Sequence, residues 1–248
     1  MLEKAPAEIQ PSCPHFGECG GCTYQNLPYE EQFRLKEQQV KAMMDEAVEG
    51  DYVWEGVLPS PVAFAYRNKM EFSFGDEYKD GPLALGMHKR GSFHDIVNVE
   101  NCQIVDEDYR KILTCTLEAS KRSGLPYYHR MRHTGYFRHL LVRKAVKTGE
   151  ILIDLVTTDG RDCGGEREIT DYLEKWVDDL CRLSLDGKIA GILHTTNNSV
   201  ADVVKDEGTE TLYGQGYFYE ELLGLKFKIT PFSFFQTNSL GAEVLYEK

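Results

Sequence analysis

Two hydrophobic periods divide the chain. Around residue 70, apolar Met70, Phe72 and Phe74 alternate with Lys69, Glu71 and Ser73, the period of a strand with one face on a core. The turn residues Lys79, Asp80, Gly81 and Pro82 then precede a second apolar run at 83–87, so the two segments read as a hairpin. Further strands are predicted at 93–99, 140–146, 151–157, 189–195 and 225–229, with 147–150 as a hairpin turn. Elsewhere the period is helical. After Pro28, which suits a first helical position, Tyr29, Phe33, Val40, Met43, Met44 and Ala47 form a stripe that should rest on a neighbouring surface. A second helix is predicted at 106–123, with Gly124 as its stop, and a third at 166–185, with Ile169, Leu173, Trp176, Val177, Leu180 and Cys181 as its apolar stripe. Asn238 or Ser239 caps a last run through Ala242, Val244, Leu245 and Tyr246. The fold class is α+β, with a largely antiparallel sheet.

Composition narrows this little: 42% hydrophobic and 27% charged residues in a chain of 248 suit one large or two modest globular domains. No run approaches the about 20 apolar residues that span a bilayer, and residues 1–11 lack an apolar centre, so no membrane partner and a cytoplasmic location are expected. No obligate protein partner is evident. Charge changes the picture more. A net charge of -12 argues against coating nucleic acid with the whole surface. One segment runs the other way: Lys121, Arg122, Arg130, Arg132, Arg138, Arg143, Lys144 and Lys147 have no acidic residue among them, and histidine, tyrosine and phenylalanine are interleaved. Cations for phosphates and rings for bases make this a candidate RNA surface. The bland alternative is a solvated face with strand aromatics turned into the core.

Seven cysteines are present, and in a reducing compartment clustered cysteines favour metal binding or catalysis over disulfides. Cys13, Cys19 and Cys22 have the spacing C-x5-C-x2-C, and Gly20 and Gly21 let the backbone fold tightly there. Cys102 is the best fourth ligand, because Cys115 and Cys181 fall inside helical patterns. Four thiolates suit a [4Fe–4S] cluster or zinc alike, with His15 able to replace one sulfur on zinc. A redox Cys-x-x-Cys would leave the third cysteine unexplained.

The motif, with its fourth cysteine about eighty residues on, resembles the iron–sulfur motif of the RNA 5-methyluridine (uracil-C5) methyltransferases, above all those acting on 23S rRNA. Tyr66-Arg67-Asn68-Lys69-Met70 is similar to the family's Tyr-Arg strand, and Gly91-Ser92-Phe93-His94-Asp95-Ile96-Val97 to the strand before the fourth cysteine. Phe232-Ser233-Phe234-Phe235-Gln236-Thr237-Asn238 resembles the Phe-x-Gln-x-Asn element that opens the family's S-adenosylmethionine domain. The resemblance implies a [4Fe–4S] cluster on Cys13, Cys19, Cys22 and Cys102, with Cys115, Cys163 and Cys181 incidental. It implies that Gln236 helps hold S-adenosyl-L-methionine and that Phe234 faces the target base; the basic segment independently offers Arg130, Arg132 and Arg138 as RNA contacts. RNA, specifically 23S rRNA, is the implied partner.

The expected organisation is an N-terminal tail (1–12), an iron–sulfur segment (13–30) completed by Cys102, a helix and linker (31–60), a central α+β domain (61–230) and the start of a Rossmann-like methyltransferase domain (231–248). Methylation at uracil C5 needs a thiolate to add at C6 and a base to take the C5 proton. The family's Ser-Cys-Asn-Pro-like loop and glycine-rich cofactor turn do not occur here, and Gly214-Gln215-Gly216 reads as a turn. No catalytic residue is therefore expected in this chain: the nucleophilic cysteine and the base are expected beyond Lys248, and the chain by itself should be inactive. Only twelve residues precede Cys13, too few for the family's N-terminal TRAM barrel, and Glu71 and Glu77 put acid where an RNA reader would be neutral or basic. The competing reading is a non-enzymatic zinc or iron–sulfur RNA-binding module.

Overall fold

The computed structural model describes residues 4–201 and 204–248. A seven-stranded sheet is built from β1 (Lys69–Asp76), β2 (Leu83–His88), β3 (Ile96–Asn98), β4 (Phe137–Lys144), β5 (Glu150–Thr157), β6 (Lys188–Thr196) and β7 (Thr209–Gly214). Its strand order is β3-β2-β1-β4-β5-β6-β7. Every neighbouring pair is antiparallel except β5 and β6. That exception follows from connectivity: α3 (Glu166–Cys181) lies between them in sequence, and parallel neighbours need such a crossover.

Together with α2 (Glu107–Ser123), α3 covers one face of the sheet. Met70, Phe72 and Phe74 of β1 and Leu140 and Val142 of β4 meet Tyr109, Ile112, Tyr172 and Trp176 of the helices in the main core. Trp176 is fully buried, and its indole N–H donates to Thr116 Oγ1 at 3.0 Å, so its one polar atom is satisfied inside that core. The opposite face is covered in part by a hairpin of β8 (Phe218–Leu222) and β9 (Leu225–Ile229), where Phe218 and Ile229 pack on Ala145, Leu152 and Leu193. With helices on one face and this hairpin on part of the other, β4 and β5 are buried almost throughout, although β4 carries Arg138, His139 and Arg143 and β5 carries Asp154. No helix among the described residues is long and apolar enough to cross a membrane.

Several expectations need correction. The first helix, α1 (Tyr29–Ala47), buries none of its residues, and Val40, Met43 and Met44 of its apolar stripe are exposed. The strand expected at 93–99 is only the three residues of β3, and the third helix stops at Cys181 rather than 185. β4 begins at Phe137, three positions before the predicted start. Two strands were not predicted. β7 is a polar, exposed edge with no apolar alternation to betray it. In β8 the inward position between Phe218 and Leu222 is held by Glu220, a buried carboxylate that breaks the pattern. Gly214, read in sequence as part of a turn, instead closes β7 with φ of 68°, and Gln215 N–H extends the pairing with β6 by donating to Ala190 O at 2.9 Å. Asn238 is the cap of α4 (Ser239–Tyr246), accepting from Gly241 N–H at 2.9 Å.

Candidate metal centre and substrate-facing loop

The cysteine segment folds on itself and then onto the sheet. Cys19 N–H donates to His15 O at 2.9 Å, closing a tight turn. Gly20 N–H donates to His88 O at 2.9 Å, and a Cβ on Gly20 would lie 3.0 Å from that oxygen, so a side chain would crowd the approach. Arg90 continues the seam, its N–H donating to Glu18 O at 2.7 Å and its guanidinium to Cys22 O at 2.5 Å. Cys102 reaches the same place from the other side. It follows β3 in a turn closed by its N–H on Val99 O at 3.0 Å.

Cys13, Cys19, Cys22 and Cys102, distant in sequence, thus line one cavity of about 90 Å³, together with His15, Arg67, Met70, Met87, Val99 and Ile104. Two sulfurs accept hydrogen bonds: Cys19 Sγ from Gly21 N–H at 3.4 Å and Cys22 Sγ from Gln25 Nε2 at 3.2 Å. Burial pushes the thiols of Cys19 and Cys22 up and that of Cys102 up to about 11, and the neighbouring cysteines add to each rise. A cationic group between them would reverse that preference by stabilising thiolates. His15 Nε2 faces Asn101 N–H at 3.3 Å. No three of the described His, Cys, Asp or Glu side chains stand where one ion would hold them together.

The remaining cysteines are placed differently. Cys115 is half-buried on α2, its thiol pushed up by burial to about 11; Cys163 sits in the loop before α3, and Cys181 is exposed at its end. Burial raises the thiols of Cys163 and Cys181 as well, the opposite of what activates a nucleophile.

A second feature lies at residues 230–239. Phe234 is 86% exposed, whereas its neighbour Phe235 turns inward against Phe227, ring centroids 5.7 Å apart. Gln236 is half-buried and its Nε2 lies 3.5 Å from Tyr246 Oη. The segment that resembles the family's Tyr-Arg strand joins both features. Arg67 and Met70 line the cysteine cavity, while Asn68 Nδ2 donates to Gln236 O at 2.8 Å.

Of the basic segment, much is structural. Arg138, expected on an RNA surface, is 3% exposed: its guanidinium donates to the carbonyls of Asn197, Ser199 and Ala201 and stacks 4.2 Å from the Tyr128 ring. Arg143 is equally buried, and Lys144 binds Asp106 at 2.6 Å and Asp108 at 2.7 Å. Lys121, Arg122 and Lys147 pair with Glu118, Asp179 and Glu243, and Tyr136 and Phe137 are core residues. The unbroken cationic run in sequence was misleading because a strand sends alternate side chains to opposite faces and because its partners come from α2, α3 and α4. Arg130 and Arg132 lie on the turn before β4, beside exposed Met131; Arg132 is exposed, and Arg130 donates to Phe93 O at 3.2 Å, next to the exposed Phe93 ring.

No family model matches the chain. It is 46% identical over 250 residues to an uncharacterised RNA methyltransferase of Caldanaerobacter subterraneus subsp. tengcongensis, covering 99% of this chain and 53% of that protein. It is 49% identical over 249 residues to one of Clostridium acetobutylicum, covering 100% of this chain and 53% of that protein. Among solved structures, the Pyrococcus abyssi tRNA (uracil-54, C5)-methyltransferase in complex with S-adenosyl-L-homocysteine has the same fold over 99% of this chain and 51% of that one, with a TM-score of 0.71 and 24% identity. The chain spans about half the length of the curated relatives it matches. Over nearly its whole length, this chain is therefore homologous to about half of each of these proteins named RNA methyltransferases.

Proposed function

We propose that the protein containing this chain transfers a methyl group from S-adenosyl-L-methionine to C5 of a uracil in RNA, and that this chain supplies the cluster-binding and RNA-positioning part. The observation that carries the reading is the meeting of Cys13, Cys19, Cys22 and Cys102 around one cavity, joined through residues 67–70 to the loop that exposes Phe234.

The donor set fits a [4Fe–4S] cluster. Zinc would gather four sulfurs about 2.3 Å from a single point. Here four thiols surround a volume, and two of the sulfurs already accept the N–H hydrogen bonds that tune cluster thiolates. Bound there, the cluster would tie the segment before α1 to the turn after β3, a structural role.

Each residue then has a task. Phe234 offers a ring face for the extracted base, which offsets lost stacking. The Gln236 amide, able to donate and accept, helps hold cofactor and base. Arg130 and Arg132 contact phosphates, and 23S rRNA is the substrate that the sequence resemblance favours. A tRNA substrate is the second reading, favoured by the Pyrococcus abyssi structure. The reaction also requires a nucleophile that adds to C6 and a base that takes the C5 proton. The reaction takes place in the cytoplasm.

The test is tritium release from 5-tritiated uridine in 23S rRNA and in tRNA, with the full gene product and S-adenosyl-L-methionine. Release with one RNA and not the other identifies the substrate; methylation without release means another atom is the acceptor and ends the uracil-C5 reading. Anaerobic preparations should carry iron and sulfide that Cys102→Ser removes and Cys181→Ser does not, whereas stoichiometric zinc without iron would overturn the cluster.

A further inference from the structure

The loop that carries Phe234 and Gln236 is held from behind by buried polar side chains. Arg143, on β4, is 1% exposed, and its Nη1 donates to three carbonyls of this one loop: Thr230 O at 2.8 Å, Pro231 O at 2.9 Å and Ser233 O at 2.7 Å. Three carbonyl dipoles converging on one point repel one another, so the turned backbone at 230–233 depends on the cation between them. Burying a guanidinium is costly, and burial lowers the Arg143 pKa to about 10, which leaves it charged at neutral pH.

The other end of the loop is fixed separately. Asn68, 6% exposed and one residue before β1, donates its Nδ2 to Gln236 O and to Ser239 Oγ, both at 2.8 Å, and its own N–H to Thr237 O at 2.9 Å. Ser239 Oγ in turn donates to Glu220 Oε2 at 2.8 Å. Glu220, 1% exposed on β8, also accepts from the N–H groups of Val146 at 2.7 Å and Lys147 at 3.0 Å, which locks it to the turn between β4 and β5. Each of these buried groups bonds to main chain or to another member of the set. Phe234 lies between the two anchored ends, pointing away.

We infer that Arg143, Asn68 and Glu220 are positioning residues that set the backbone of the loop at 230–239 and thereby the orientation of Phe234 and Gln236. The inference rests on the proposed role of those two side chains. It also accounts for a sheet interior that buries a cation and a carboxylate where apolar side chains would pack at lower cost. An orienting role makes activity more sensitive than stability, because small displacements of a positioned group are costly in rate.

The experiment compares Asn68→Ala, Arg143→Met and Arg143→Lys with Phe234→Ala and Gln236→Ala in the full gene product. Loss of an anchor should lower kcat about 10- to 100-fold while RNA affinity changes little, and Arg143→Lys, which restores a buried cation, should recover part of what Arg143→Met loses. Hydrogen–deuterium exchange of peptides covering 230–239 is read on the same proteins. It should rise in the anchor variants while peptides from β1 and β4 stay protected. If Phe234→Ala and Gln236→Ala leave methyl transfer unchanged, the reading of the loop is wrong. If those two are impaired but the anchor variants match wild type in kcat and in loop exchange, the positioning role is wrong. If Arg143→Met does not fold, Asn68→Ala carries the comparison; if the protein methylates no RNA, unchanged loop exchange in Asn68→Ala overturns the inference by itself.

Discussion

Asp108→Asn should destabilise the fold far more than its size suggests. Asp108 lies in the first turn of α2, 1% exposed, and is a junction between helix and sheet. Its Oδ1 accepts from Asp186 N–H at 2.8 Å, and its Oδ2 accepts from Gly187 N–H at 2.8 Å and from the Lys144 ammonium at 2.7 Å. Asparagine keeps one acceptor but turns an amide donor toward Gly187 N–H and Lys144, which are donors themselves. One charge-assisted and one backbone hydrogen bond are lost and two buried donors are left facing a third, which costs about 3 kcal/mol. For a chain of this size that lowers Tm by about 6–12 °C.

The pH dependence of that loss has a definite sign. Burial alone would raise the Asp108 pKa, but Lys144 and the amides of Asp186 and Gly187 outweigh it and hold the carboxyl below the ordinary aspartate value. The unfolded chain, with a pKa near 3.9, therefore takes up the proton first as pH falls. The stabilisation is complete above the unfolded pKa and disappears as pH falls through the native one. Urea unfolding of wild type and Asp108→Asn should differ by a constant amount between about pH 8 and pH 5 and converge below about pH 4. A difference under about 1 kcal/mol at pH 7, or one that persists undiminished in acid, would refute the reasoning.

Gly86→Ala should open the pairing of β2 and β3, because the new Cβ would lie 1.9 Å from Val97 O; we expect at least about 3 kcal/mol of destabilisation, read by urea melts. Trp176→Phe should cost about 1–3 kcal/mol by leaving a small void and an unpaired Thr116 hydroxyl, whereas Trp176→Ala should cost about 3–5 kcal/mol; calorimetry that found the two equal would mean that the core collapses onto either side chain.

Elements whose stability comes from one apolar face were legible in the sequence. The hairpin of β1 and β2 and the helices α2 and α3 announce themselves through a local period, and β5 and β6 through short apolar runs. The cysteine spacing marked a candidate metal centre for a similarly local reason, since a tight turn of three ligands leaves a signature within ten residues. What local pattern cannot encode is the partner of a polar group. Arg138 and Arg143 look like surface cations in sequence and are buried, each held by carbonyls about sixty to ninety residues further along the chain. Glu220 hid β8 for the same reason, being a carboxylate whose donors come from the turn between β4 and β5. Apolar burial is an average property of a face and is written along the element itself, whereas a buried charge is tolerable only through particular distant atoms. The sequence alone thus determined the helices, the strands other than β7 and β8, and the spacing of the cysteines; only the tertiary structure decided which charges are interior, and with them the conformation of the loop that presents Phe234 and Gln236.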